Sequence, residues 1–236
     1  MLRARAGLLA LTLAGLLLSP GSGPAADADL TDLVGAYLKT RAHQVPGVVA
    51  ARAYVEPTRP TATPAPQPEV SVVLLPYSAA FEAELDAVKA GLRDSVDGYA
   101  RAATRIEATR VDYERALLAA GGGALVRSEI TDAQGGARVG DVPAGEWLVL
   151  AWREGGHMAK RFKLRDQDTK RYPHVPSSVT YSIVTYWRVR VAVGPAETVE
   201  IALSDRNVWM TGARQEAGPP VPPRPPATGG GSQKRR

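Results

Sequence analysis

Residues 131–150 read TDAQGGARVGDVPAGEWLVL, and the way this stretch is punctuated decides the fold. The Asp132 side chain can accept hydrogen bonds from the backbone amides that follow it, and Gly135 tolerates positive φ, so 132–136 is a tight turn. Pro143-Ala144-Gly145 makes a second turn. It feeds Trp147-Leu148-Val149-Leu150-Ala151-Trp152, whose aromatic and branched residues suit a strand. Paired turns around a short segment with Val139 and Val142 describe antiparallel β-structure.

Working outward, the period of two continues. Upstream, Val70-Ser71-Val72-Val73-Leu74-Leu75-Pro76 is a strand ended by proline. A weaker alternation over 48–55 reads as a first strand, and the Pro-rich segment 57–68 as the loop between them. Residues 125–130 form another strand. Downstream, 181–193 is a long alternating run rich in Val, Thr, Tyr and Trp. Gly194-Pro195-Ala196-Glu197 turns the chain, 198–203 runs back, and 208–213 closes the sheet. Short strands divided by turns predict an antiparallel Greek-key β-sandwich over 46–77 and 124–214.

Between 78 and 120 the period changes. No proline interrupts this segment, and Leu85, Leu92, Tyr99, Ile106 and Tyr113 recur every seven residues, flanked by Phe81, Val88, Val96 and Leu117. That is amphipathic helix. A single unbroken helix would be about 60 Å long. Only Gly121-Gly122-Gly123 separates it from the next strand, and a few extended residues return at most ~20 Å. The insertion 78–123 is therefore read as a helical hairpin, 78–96 and 104–119, with a break at Asp97-Gly98 and a Thr104/Glu107 capping box. The unbroken heptad register argues for one bent helix instead. The stripe could also pair two chains as a coiled coil, but a hairpin uses it internally. A short N-terminal helix over 27–45, apolar at Leu30, Leu33, Val34, Tyr37 and Leu38 and capped by Asp29 or Thr31, packs on the main domain.

With its flanking strands, 131–150 resembles the carboxypeptidase regulatory-like domain. This is a small transthyretin-like (prealbumin-like) β-sandwich related to the B-repeats of bacterial adhesins. Thr131, Asp132, Gly135, Val139, Val142, Pro143, Gly145, Trp147 and Val149 carry the resemblance, and 70–75 resembles the family's preceding core strand. Two features depart from the pattern. Ala137 stands where the family places a core aromatic, a gap that Trp147 or Trp152 can fill, and the helical insertion replaces a short turn. The resemblance implies a carbohydrate-binding-like fold that serves as a sugar-binding, spacer or docking module. In metallopeptidases that bear such a domain the zinc and catalytic groups lie elsewhere, so it implies no catalytic residue.

The 236-residue chain has 29 Lys plus Arg against 24 Asp plus Glu, three histidines and no cysteine. Without cysteine there are no disulfides, thiolate zinc sites or thiol nucleophiles. The net charge of +5 belongs to the ends: Arg3 and Arg5 at one, Arg224, Lys234, Arg235 and Arg236 at the other. The body is close to neutral, so nucleic acid, which needs a clustered basic surface, is not an expected partner. Residues 1–26 place two arginines before an apolar run over 6–18, then Ser19-Pro20-Gly21 and small residues. This reads as a signal peptide cleaved between Ala25 and Ala28. The run is shorter than the ~20 residues that cross a bilayer. The mature chain is expected in the periplasm or outside the cell, with no membrane span. Residues 215–236, containing GPPVPPRPPATGGGSQKRR, read as a disordered Pro/Gly-rich basic tail.

Motifs for chemistry are few. His43, His157 and His174 lack HxxxH or HExxH spacing, and no GxSxG elbow occurs. The glycines at 121–123 lack a following Lys-Ser/Thr and read as a helix stop. Asp166 and Asp168 lie in a charge-mixed loop. No enzyme, metal or cofactor is expected, which leaves binding. Lys160, Arg161, Lys163, Arg165, Lys170 and Arg171 make 160–171 a solvated connection whose functional use would be docking of acidic glycans or lipid headgroups. Tyr181, Tyr186, Trp187 and Trp209 fall on or beside the late strands. Alternation sets Tyr186 and Trp187 on opposite faces, one in the core and one outward. An outward aromatic can stack on a sugar ring or anchor a partner. The reading is an exported, non-catalytic interaction module of the cell envelope with an envelope protein as partner. Its candidate surface is Tyr186, Trp187, Trp209, Lys160, Arg161 and Lys163. The alternative is a carbohydrate-binding module using outward aromatics of the late strands.

Overall fold

The computed structural model describes residues 24–59, 61–161 and 178–216. The chain forms α1 (Pro24–His43), β1 (Gly47–Val55), β2 (Ala65–Pro66), β3 (Ser71–Pro76), α2 (Ala79–Ala90) and α3 (Val96–Ala119). It continues through a 3₁₀ turn (Gly123–Leu125) to β4 (Arg127–Ile130), β5 (Gly136–Val142), β6 (Gly145–Arg161), β7 (Ser178–Val193), β8 (Thr198–Ser204) and β9 (Met210–Gln215). Most of the expected signal peptide, the loop 162–177 and nearly all of the expected tail lie outside the described residues.

The strands make two sheets around one apolar core. The larger has the order β4-β3-β6-β7-β9 and is antiparallel throughout. The smaller is centred on β1, with β5 and then β2 along one edge and β8 on the other. Here the structure corrects the sequence. The segment 198–203 does not run back along β7, and the second sheet is not wholly antiparallel, because β8 pairs in parallel with β1. The turn after β7 hydrogen-bonds to the start of β1, Ala196 N–H to the Val45 carbonyl and Val48 N–H to the Glu197 carbonyl. The chain therefore enters the second sheet level with the beginning of β1, and both strands run the same way.

Strands β6 and β7 are apolar on both faces. Trp147, Val149 and Ala151 alternate with Leu148 and Leu150, and all five are buried. One face looks toward β1, β5 and β8, where small residues at Ala51, Ala53 and Ala137 leave room for large ones across the core. There Trp147 of the larger sheet is sealed by α1. Tyr37 meets it edge-on at 5.0 Å and donates a hydrogen bond to the Glu146 carbonyl. The other face lies under α2 and α3. Tyr113 of α3 stacks on Phe81 of α2 and donates to the Pro76 carbonyl, and the Arg110 guanidinium sits 5.1 Å over the Trp152 ring. Gly212 of β9 lets α3 approach closely, since a Cβ there would stand 2.9 Å from that of Ala103.

The helical segment is two helices, but they divide earlier than the Asp97-Gly98 pair suggested. The helix α2 stops at Gly91, and Ser95 caps α3 by accepting the Gly98 amide at 3.0 Å. Thr104 is inside α3, where its hydroxyl donates back to the Ala100 carbonyl. The heptad stripe is spent on this sheet and on α1, with Leu85, Ile106 and Leu117 fully buried. At the C-terminus of α3 the amides of Gly121 and Gly122 bond to the Leu118 and Leu117 carbonyls, the expected stop. The first helix also differs: it begins at Pro24, so neither Asp29 nor Thr31 is its cap.

The 131–136 turn ties the layers together. The carboxylate Oδ1 of Asp132 accepts the amides of Gln134 and Gly136 at 2.9 and 2.8 Å. Buried Thr131 accepts the Val70 amide and donates to the Gln67 carbonyl, both at 2.9 Å. Gly135 has φ 76°, and a Cβ there would run into the Ala53 carbonyl. We expect Gly135→Ala to cost about 2 kcal/mol or more in denaturant unfolding. Gly140→Ala, at a strand position with open space, should stay within ~0.5 kcal/mol of the parent.

Candidate functional site

The sequence-derived surface is not one surface. Tyr186 and Trp187 do occupy opposite faces of β7, but neither faces solvent: they are 3% and 1% exposed. Trp187 lies between the sheets and donates its indole N–H to the Ser204 carbonyl at 2.7 Å. Tyr186 lies under α3 beside Ile106 and Leu150. The expectation that one of them points outward fails because the helical layer covers the face that a two-layer sandwich would leave wet. Burial pushes the Tyr186 phenol up to about 12, and burial likewise pushes Tyr37 to about 12.

Trp209 is half-buried beneath two cations, Arg188 at 4.8 Å and Lys89 at 5.7 Å from its ring. Lys160 binds the Asp97 carboxylate at the start of α3, at 2.8 and 2.6 Å, and its hydrogen bond holds Asp97 below the usual carboxylate range. Arg161 ends β6, and nothing is described of its side chain. Lys163 lies outside the described residues with the rest of the basic loop.

A different place combines free backbone with apolar surface. Strand β4 is the edge of the larger sheet and, among the described residues, pairs only with β3. Because Thr131 N–H bonds to the Val70 carbonyl, the alternation of an antiparallel pair turns Glu129 and Arg127 toward β3 and the backbone groups of Ser128 and Ile130 outward. Beside this edge, between β4 and α3, runs a groove of about 610 Å³ lined by Val73, Val126, Ser128, Ile130 and Trp152. Its helical wall is the Arg110–Glu114 ion pair at 2.5 Å. Ile130 is 65% exposed, the most open large apolar side chain on any described strand. Sequence reading missed this site because β4 is only four residues long and two of them are charged.

The described residues offer one histidine–carboxylate–serine cluster. His157 Nδ1 lies 2.5 Å from Glu216 Oε1, and the Ser182 hydroxyl donates to that same oxygen at 2.9 Å. The serine donates to the carboxylate and not to the imidazole, so the cluster lacks the serine–imidazole contact of a catalytic triad. Its hydroxyl, with His157, holds Glu216 below the usual carboxylate range. No group of three metal-ligating side chains converges among the described residues, and no described helix is long and apolar enough to cross a membrane.

No family model and no curated protein matches the sequence, so the resemblance carried by 131–150 stands on those residues alone. Solved structures overlap with the fold at low scores, among them the following three. A Pseudomonas aeruginosa protein described as a candidate carbohydrate-binding protein shares 14% identity over 71% of this chain and 95% of its own, with a TM-score of 0.35. The minor pilin GBS52 of Streptococcus agalactiae shares 11% over 75% and 100%, with a TM-score of 0.28. The pilus backbone protein RrgB of Streptococcus pneumoniae shares 11% over 68% and 41%, with a TM-score of 0.27. Likeness at this level carries no functional information.

The buried phenols set an alkaline limit. Their folded pKa lies above the ordinary value of 10.0, so the folded chain keeps protons that the unfolded chain has lost. That stabilisation is whole below pH 10 and is lost as pH rises toward about 12. Base titration should show tyrosinate absorbance from Tyr37 and Tyr186 appearing together with loss of near-UV circular dichroism. Tyr186→Phe should flatten the fall of stability over this range.

Proposed function

We propose that the protein is a non-catalytic interaction module of the cell envelope, exported by residues 1–26, and that it docks an envelope protein along the β4 edge. One observation supports the reading above others: backbone groups of Ser128 and Ile130 that have no strand partner among the described residues flank a groove lined in part by apolar side chains. An extended segment hydrogen-bonded to β4 would place alternate side chains in that groove, with main-chain bonds giving affinity and the groove selecting side chains. The outer edge of β4 is the exposed kind of edge that strand addition uses. The prealbumin-like, Greek-key form of the sandwich and the hairpin character of α2 and α3 belong to the same proposal. An insertion of this kind would convert an exposed sheet face into the helical wall of a docking groove.

Selection of extended peptides from a display library on the full chain tests this. Enriched sequences should alternate apolar residues and lack proline at the positions that bond to β4. Ile130→Lys should weaken a selected peptide by about tenfold or more while moving stability by no more than ~0.5 kcal/mol. Helical or proline-rich enrichment, or indifference to Ile130→Lys, would remove the β4 edge from consideration. Export is checked separately by N-terminal sequencing of the chain recovered from envelope fractions, with the first residue expected between Ala26 and Ala28.

A further inference from the structure

A second cavity lies on the opposite face of β6, beyond the end of its pairing with β3. It measures about 270 Å³ and is lined by Gln67, Arg153, Thr185, Trp187 and Asp205, with Gly155 and Gly156 beside them. A bulge shapes it. From Glu154 to His157 β6 advances three residues while β7 advances two, from Val184 to Ser182, and Gly156 has φ 76°. Bulges of this kind re-aim neighbouring side chains.

Polar side chains of this pocket keep unused hydrogen-bonding capacity among the described residues. Gln67 is only 8% exposed, and its backbone is committed, with N–H to the Ala53 carbonyl and its own carbonyl to Thr131 Oγ1. Its side-chain amide has no hydrogen-bond partner among the described residues. Arg153 Nε is buried without a partner, and its guanidinium forms no ion pair among the described residues. Asp205 accepts the Glu56 amide through Oδ1 at 2.7 Å, which leaves its second oxygen. Arg153 and Asp205 line one pocket yet do not neutralise each other. A buried donor such as Arg153 Nε is costly unless something hydrogen-bonds it.

We propose that this pocket binds a neutral, hydroxyl-rich ring, a single pyranose unit. The chemistry of the wall selects it. Arg153 and Gln67 supply donors and Asp205 supplies an acceptor, so the ligand must donate and accept at neighbouring atoms, as vicinal hydroxyls do. A carboxylate or phosphate only accepts and would face Asp205, and an ammonium only donates and would face Arg153. Trp187 lines the pocket but, at 1% exposed, offers no open face for a ring to stack on, so recognition rests on the polar groups. The volume lies below the range usual for drug-sized ligands, which limits the site to one ring. The site is independent of the β4 groove, and neither assignment needs the other.

Isothermal titration and saturation-transfer NMR on the full chain decide the matter, using methyl glucoside, methyl galactoside, methyl mannoside, glucuronate and glucosamine as probes. At least one neutral glycoside should bind with a dissociation constant on the order of 1 mM. Arg153→Met and Gln67→Leu should each weaken it by about tenfold or more, with Ile130→Lys unchanged. In the parent chain, which needs no substitution to fold, the bound glycoside should shift the Gln67 amide and Trp187 indole resonances. Binding of glucuronate or glucosamine alone, binding that survives both substitutions, shifts elsewhere on the chain, or no glycoside binding would each overturn the assignment.

Discussion

Two strands that are apolar on both faces govern this molecule. Leu148 and Leu150 lie on one side of β6 and Trp147, Val149 and Ala151 on the other, and all are withdrawn from water. Burying a large side chain is worth roughly 1.5–3 kcal/mol, so neither face can be left wet. One face is closed by the smaller sheet and the other by α2 and α3. The helical segment 78–123 thus closes one face of the core and is not an appendage. Replacing it by a turn would expose Leu148, Leu150, Val184 and Tyr186 together, and loss of a partner by such a variant would report unfolding as readily as a lost docking surface.

The second constraint is the turn at 131–136, which joins three parts of the chain distant in sequence. Thr131 bridges the 67–70 segment, Asp132 organises its own loop, and Gly135 lets the loop back onto the Ala53 carbonyl. The residues that mark this stretch by eye are the ones that hold it. Ala137 fits the same picture. Small residues on β1 and β5 face a core supplied with two indoles from β6 and β7.

Local signals were therefore readable. The period of two gave the strands, the Gly121 stop ended α3 where expected, and the hydroxyl–carboxylate–glycine turn lay at its predicted place. What could not be read was set by contacts between distant residues. Ser95 is an ordinary serine until Gly98 is seen to donate to it. The parallel course of β8 depends on the 194–197 turn meeting Val45 and Val48. Tyr186 and Trp187 were assigned to opposite faces correctly by alternation. Which face meets water depends on how many layers the fold has, and a strand's own pattern reports that only through apolar residues on both sides. Gln67, Arg153 and Asp205 come from three separate segments and share no spacing, so no motif announces them.

Trp152 and Arg153 are consecutive residues, and the alternation of β6 sends them to opposite faces of the sheet. Trp152 forms part of the floor of the β4 groove under Arg110, whereas Arg153 enters the polar pocket beside Gln67. The two candidate sites are therefore back to back across a single strand. The contrast in chemistry follows from what covers each face there. On the helical side, α3 supplies an ion pair while Val73, Val126, Ile130 and Trp152 supply apolar walls next to an open edge, which suits a segment with apolar side chains. On the other side, β3 has ended and the bulge at Gly155 and Gly156 begins, so polar side chains from the 67 and 205 loops converge beside β6 where its pairing with β3 has stopped. A change confined to one face leaves the other intact, whereas a change to the bulge would disturb the register of β6 against β7 beside both.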